Sequence, residues 1–228
     1  MVVVTYHGTE VRLMKLHPAA LGLVLALVVT AVPGGTQTLP AAPAPVPVSL
    51  TGSTTAVLVL DVIDPICNAQ PRCLAFVPRV GSLLTAARRA GALVIYSAAN
   101  PDGMVAPIKA PPFVAAVAPA TGDPIVLGNG QDRFYDTRLD LTLRKRGITT
   151  LILVGWRENG SVLYTAVGAN LRGYTVVVAD DATSAAEDYD IAVGRYQLLT
   201  QLNANPKNEP LHKGAVTLSR TDLIAFKP

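Results

Sequence analysis

Asp61 stands near the end of Thr55–Val62 (TAVLVLDV), a run that is otherwise apolar and β-branched. A carboxylate is costly to bury in such a run unless it is paired or reactive, so the position points to acid/base chemistry, with a structural hydrogen-bonding role as the alternative. Asp64 follows in DVIDP, where Pro65 makes it a turn-capping residue. A second polar group, Trp156-Arg157-Glu158-Asn159-Gly160-Ser161, closes another apolar run, Thr149–Gly155. Asn159 and Ser161 there either cap the next helix or contribute to a site. Asp180 and Asp181 end a third run. With no histidine or third carboxylate nearby in sequence, they read as a solvated loop rather than a metal site. Gly128-Asn129-Gly130 reads as a turn, since lone glycines do not make a phosphate loop.

Histidine usage narrows the chemistry further. The chain of 228 residues has three histidines, and His7 and His17 fall in a front end that reads as a secretory signal. Arg12, Lys15 and His17 precede an uncharged run, Pro18–Val32, which is followed by Pro33-Gly34-Gly35. That run is short of the roughly 20 apolar residues of a spanning helix, so membrane association is expected only if the segment stays uncleaved. Residues 1–36 are thus assigned to the signal or anchor, 37–53 to a Pro/Ala-rich linker and 54–228 to the folded domain. His212 is then the domain's only histidine, in an exposed-loop sequence, which excludes a three-histidine zinc site and leaves any His-assisted nucleophile dependent on that one residue. No metal or other cofactor is expected. Cys67 and Cys73 bracket a short segment containing the turn-former Pro71; in an oxidising compartment the pair is expected to form a disulfide. The net charge of +3 is scattered, without a basic stretch interleaved with aromatics, so no nucleic-acid partner is expected.

The elements that must position these residues alternate regularly. Strand patterns at Thr55–Val62, Ala92–Ser97, Pro124–Leu127, Thr149–Gly155, Tyr174–Ala179 and Ala215–Leu218 are separated by helical patterns at Val77–Ala90, Asp136–Arg146, Ser161–Leu171 and Ile191–Leu202. Apolar runs without alternation indicate strands buried on both faces, and helices between successive strands imply right-handed crossovers. The predicted fold is a three-layer α/β/α, Rossmann-like domain with a mostly parallel central sheet. In such sheets ligands bind at the carboxyl ends of the strands, where Asp61 and Ser161 both fall.

Three segments carry a resemblance to the isochorismatase-like, or cysteine hydrolase, superfamily. TTAVLVLDVIDPIC resembles its opening strand with a catalytic Asp. FYDTRLDLTLRKRGITTLILVG resembles its Phe-x-Gly-Thr-x-Leu helix, Gly-Ile turn and core strand. GWRENGSVLYTAVGANLRGYTVVVADDATSA is similar to the segment around its nucleophile. The resemblance runs from about Thr54 to about Ala186 and implies the same α/β/α fold. The family's amidohydrolases use Asp, Lys and Cys. Asp61 matches the Asp, and Ser161 stands where the Cys is expected. The Lys position falls at Gly128 or Asn129, leaving Arg133 as the nearest basic residue. A guanidinium cannot shuttle a proton at neutral pH, and a serine needs a well-placed base. Isochorismatase proper cleaves a vinyl ether without a cysteine, its Asp acting as general acid, a role that an apolar pocket lined by Phe134 and Trp156 would favour.

The resemblance therefore implies a hydrolase of a small amide or ether, and the N-terminal signal a secreted or envelope location. Asp61 is its acid/base, Ser161 its catalytic or pocket residue, and Asn129, Arg133, Phe134, Trp156, Asn159 and Gly160 its substrate-binding residues. The alternatives are a small-molecule-binding pseudoenzyme of the same fold and a structural, oligomer-forming envelope protein. The last is suggested by the apolar segment Val105–Pro119, which reads equally as a lid or a homo-oligomer contact.

Overall fold

The computed structural model describes residues 2–7, 10–15, 43–99, 109–128, 130–200 and 216–227. The expected signal core Pro18–Val32, Asn129 and His212 lie outside these residues. The chain divides into two compact units, Met1–Thr38 and Leu39–Pro228. In the first, β1 (Val2–His7) and β2 (Glu10–Lys15) pair antiparallel. Among the described residues no helix is long and apolar enough to cross a membrane.

The second unit is organised by β4 (Thr55–Leu60), whose six residues are all buried. Its neighbours are β5 (Leu93–Ala98), β6 (Ile125–Leu127), β7 (Thr150–Trp156), β8 (Thr175–Ser184) and β9 (Thr217–Ser219). They form a six-stranded sheet in the order β6-β5-β4-β7-β8-β9 with every described pairing parallel. Parallel strands need crossovers, supplied by α2 (Pro71–Arg89) after β4, α3 (Leu139–Lys145) after β6, α4 (Leu163–Leu171) after β7 and α5 (Asp188–Thr200) after β8. The two-residue period of a strand sorts β4 onto both faces: Val57 and Val59 pack with α2 residues such as Val80 and Leu84, while Ala56, Leu58 and Leu60 pack with Leu139, Leu143 and Leu163. Two apolar cores on opposite faces of one sheet make the three-layer α/β/α architecture.

Several boundaries differ from the sequence expectation. Val48–Thr51, inside the stretch expected as linker, is a strand (β3) that pairs parallel with β10 (Ile224–Lys227). Alternating polar residues and nearby prolines hid it. The helix expected at Val77–Ala90 begins at Pro71, because proline is well tolerated in a first helical turn, and Pro78 is accommodated within it. The strand expected to end at Ala179 runs to Ser184. Asp180 and Asp181 lie within β8 rather than in a solvated loop, at an irregularity where β7 advances from Leu153 to Gly155 while β8 advances from Val178 to Thr183. Asp181 accepts hydrogen bonds from the Thr221 amide and hydroxyl, both at 2.8 Å. The two cysteines form the Cys67–Cys73 disulfide, joining the one-turn helix α1 (Asp64–Cys67) to the start of α2. The described part of the apolar segment, residues 109–119, packs back on this unit: Phe113 bridges Ile63 and meets the Tyr96 ring edge-on at 5.2 Å.

Candidate active site

β4 ends where Leu60 hands over to Asp61. The backbone there turns into the left-handed region, with φ +52 at Asp61, a conformation that Asp tolerates better than most non-glycine residues and that aims its side chain across the sheet end. The neighbouring strand end approaches so closely that a Cβ on Gly155 would lie 2.1 Å from the Leu60 carbonyl oxygen, and Gly155 itself has φ +123. Only glycine fits. This close approach brings the segment after β7 beside Asp61.

That segment, Glu158–Val162, is a wide turn rather than the start of a regular helix. Gly160 departs from helical geometry, with ψ −111, and α4 begins at Leu163, two residues beyond Ser161. The turn carries Ser161 to the carboxylate: Ser161 Oγ donates to Asp61 Oδ2 at 2.6 Å. Arg133, from the loop before α3, reaches the same point. Its Nη2 donates to Ser161 Oγ at 2.9 Å and also to Asp61 Oδ2. The other carboxylate oxygen accepts from the Ala99 amide at 2.9 Å. Asp61 and Arg133 are 3% and 1% exposed, so this is a buried ion pair whose charges have left water together.

Arg133 is held independently of its partners. Its Nη1 donates to the Gly130 carbonyl at 2.6 Å and the Gly128 carbonyl at 3.3 Å, and its backbone amide donates to Thr165 Oγ1 at 3.2 Å. Thr165, on α4, donates in turn to the Gln131 carbonyl at 3.3 Å, tying the Arg133 loop to the helix that follows Ser161. Arg133, the basic residue nearest in sequence to the expected Lys position, thus brings its guanidinium to both Asp61 and Ser161. Asp136, where the family motif carries glycine, takes φ +52 in the same loop.

A cavity of about 340 Å³ opens beside this triangle, lined by Asp61, Ile66, Gln131, Trp156, Arg157, Asn159, Gly160, Ser161 and Tyr164. Of the residues anticipated for binding, Trp156, Asn159 and Gly160 line it, and Arg133 lies behind Asp61 and Ser161. Phe134 does not: its ring is buried in the core, stacked on Tyr174 at 5.8 Å with Arg172 over its outer face. The alternation of the loop turns Arg133 toward the site and its neighbour away. Ile66, Gln131, Arg157 and Tyr164 were not anticipated. Arg157 alone carried a signal, a cation within the polar group that ends β7. Among the described residues no cluster of three His, Cys, Asp or Glu side chains is placed to hold a metal ion.

Beneath the turn lies a second charged group. Glu158 is fully buried, accepts a hydrogen bond from Thr183 Oγ1 at 3.3 Å and sits 3.4 Å from Arg195 Nε on α5. Arg195 is shared with Asp180. Burial pushes the Glu158 carboxyl up from 4.5 to about 7; the Arg195 charge only partly offsets this, and Asp180 reinforces it. Asp180 is raised by burial in the same way.

Comparison with known proteins agrees with this architecture. Residues 55–205 match the Isochorismatase domain family. The chain is 31% identical over 156 residues to the uncharacterized isochorismatase family protein YecD of Escherichia coli O157:H7, covering 60% of this chain and 83% of that protein. It is 32% identical over 111 residues to the secreted isochorismatase effector Isc1 of Verticillium dahliae, covering 46% of this chain and 57% of that one. Among solved structures, a cysteine hydrolase from Pseudomonas syringae pv. phaseolicola superposes with a TM-score of 0.63 at 24% identity, over 81% of this chain and 95% of that chain. The sheet order, the site at the ends of β4 and β7, and the extent of these matches together make the chain a member of the isochorismatase family.

Proposed function

We propose that this protein is a secreted hydrolase of a small molecule, cleaving an amide C–N bond with Ser161 as nucleophile and Asp61 as the acid/base that serves it. The observation that carries the reading is the triangle itself: the Ser161 hydroxyl already donates to Asp61 Oδ2 at 2.6 Å, the direction in which its proton must leave. Oγ attacks the carbonyl carbon as Asp61 takes the proton, and Asp61 returns it to the departing amine. An acyl-serine results, which water hydrolyses with Asp61 again as base. Arg133 stays charged throughout. Its Nη2, 2.9 Å from Oγ, favours negative charge developing on that oxygen.

A second reading rests on the same geometry. Both carboxylate oxygens of Asp61 are already engaged, one by Arg133 and Ser161 and the other by the Ala99 amide, an arrangement that also fits a pseudoenzyme that binds without turnover. Secretion is supported by the uncharged run Pro18–Val32, by the Cys67–Cys73 disulfide and by the secreted relative Isc1.

The deciding experiment is turnover of a small-amide panel by the wild type, Asp61→Asn and Ser161→Ala. Hydrolysis by the wild type that falls at least about 100-fold in both variants is expected. Hydrolysis that survives either substitution refutes the assigned roles, and ligand stabilisation without product from any amide establishes the pseudoenzyme.

A further inference from the structure

The cavity has one feature the hydrolytic triangle does not use. Of its lining residues only Asp61 and Arg157 carry charge, and both oxygens of Asp61 are already engaged by Arg133, Ser161 and the Ala99 amide. Arg157 is different. Its side chain is 48% exposed, with Nε donating to Asn159 Oδ1 at 2.8 Å and Nη2 donating to Asp190 Oδ2 at 3.1 Å. Asn159 Nδ2 donates to the other Asp190 oxygen at 2.8 Å, closing a ring of three side chains around one edge of the guanidinium. Nη1 has no partner among the described residues.

This arrangement suits recognition better than stability. An exposed ion pair contributes little to folding, yet here two side chains hold the guanidinium in a fixed plane beside the cavity. A guanidinium immobilised before binding gives up little side-chain freedom when an anion arrives, and its planar fork fits a carboxylate. The support is rigid in turn: Asp190 lies on α5, and α5 meets the turn so closely that a Cβ on Gly194 would come within 2.9 Å of the Asn159 backbone nitrogen. The cavity volume, near the lower end of the range for ligand sites, limits the occupant to a small molecule.

We propose that Arg157, clamped by Asn159 and Asp190, is the specificity residue of this site and selects a small substrate bearing a carboxylate beside its scissile amide. The inference deepens the hydrolase reading and rests on it for the nature of the bond. Recognition itself is separable from turnover.

The test therefore measures binding in Ser161→Ala, which cannot form the acyl-enzyme. The probes are matched pairs on C3 to C6 aliphatic and on benzene skeletons, each pair one monoamide of a dicarboxylic acid and the corresponding neutral diamide, titrated by calorimetry at pH 7.5. At least one monoamide is expected to bind more tightly than its diamide. Adding Arg157→Gln should weaken that monoamide by about tenfold or more and leave the diamide unchanged, with Arg157→Lys recovering part of the loss. The inference is overturned if no monoamide is preferred, or if the preference survives Arg157→Gln. Wild-type hydrolysis of the neutral diamides without dependence on Arg157 would leave the hydrolase standing and remove this inference. Arg157-dependent binding of monoamides with no product from the wild type would do the reverse.

Discussion

Replacing Glu158 by glutamine should stabilise the protein at neutral and alkaline pH, although it removes a residue facing the partly buried Arg195. Glu158 is fully buried; its Oε1 has no hydrogen-bond partner among the described residues, and Arg195 is already paired with Asp180. Burial raises its carboxyl from 4.5 to about 7. In that interval the folded protein keeps a proton that the unfolded chain has lost. Stability from this group is thus fully present below about 4.5, declines as pH rises toward 7 and levels off above it. Forcing the charge on at pH 8 costs roughly 3 kcal/mol. Glutamine preserves the shape and the neutral state, and Asp180 keeps Arg195 from being left unpaired. That difference decides the sign, since removing the sole partner of a buried charge would instead cost about 3 to 5 kcal/mol. Urea or thermal unfolding of wild type and Glu158→Gln between pH 4.5 and 8.5 should give curves that nearly meet at the acid end. They should separate by up to roughly 3 kcal/mol at pH 8, on the order of 6 to 12 °C in Tm for a domain of this size. Taking the difference between the two proteins cancels the titration of the carboxylates that do not interact with Glu158, leaving that of Glu158 and its coupling to Asp180. A variant less stable than wild type at pH 8, or two parallel curves, would refute the assignment of Glu158 as a net-destabilising buried charge.

Other substitutions test the rest of the framework. Leu58→Ala removes a side chain that is 1% exposed at the centre of the sheet and should cost about 2 to 5 kcal/mol by urea denaturation, with the site geometry retained. Cys67 and Cys73 close a loop with a sequence separation of 6; a Cys67→Ser/Cys73→Ser double variant should lose about 2 kcal/mol, and an unchanged unfolding midpoint would contradict the loop-entropy argument. Thr165→Val leaves the buried Arg133 amide without its acceptor and loosens the tie to Gln131, which should cost about 1 to 3 kcal/mol. It should also lower kcat more than it raises KM on whichever amide the wild type hydrolyses, because the displaced group acts on Ser161 rather than on bound substrate.

The parallel sheet was legible because burial on both faces leaves a simple trace: β4, β7 and the first half of β8, up to Ala179, are apolar runs with hardly a polar interruption. Asp61 stood out by breaking one of them. Ser161 was found by motif position, but its turn was read as helix, since Glu158–Val162 contains nothing that distinguishes a wide turn from a first helical turn except Gly160. Strand β3 was lost for the opposite reason: a four-residue edge strand with two exposed positions and prolines before it does not look different from linker. Arg133 and Phe134 show the limit most clearly. Adjacent residues in a turn point opposite ways, and which one faces the site depends on tertiary anchors, here the Thr165 hydroxyl and the Gly128 and Gly130 carbonyls, that lie far away in sequence or on unremarkable glycines. Arg157 gave only its charge. Half of its clamp, Asp190, comes from α5, more than thirty residues later.

The two departures from the family's usual residues make sense together on the proposed reading. A cysteine site benefits from a neighbouring amine because the thiol gives up its proton in the ground state, with an ordinary pKa near 8.5 that a cation lowers. A serine hydroxyl does not ionise before attack, so it needs a base at hydrogen-bond distance to take its proton as the new bond forms, and it gains from a fixed positive charge that meets the developing alkoxide. Asp61 is the first and Arg133 the second, its Nη2 reaching both the carboxylate and the hydroxyl. Introducing only one of the family's usual residues should therefore fail. Arg133→Lys alone would give up the anchors to Gly128 and Gly130 without gaining a thiol to activate, and Ser161→Cys alone would place a thiol beside a cation that lowers its pKa but cannot carry its proton onward. Faster alkylation of Ser161→Cys than of the Ser161→Cys/Arg133→Gln double variant, measured with iodoacetamide at pH 7, would establish that Arg133 acts on the nucleophile position through its charge. Equal rates would show that it serves only to hold the loop.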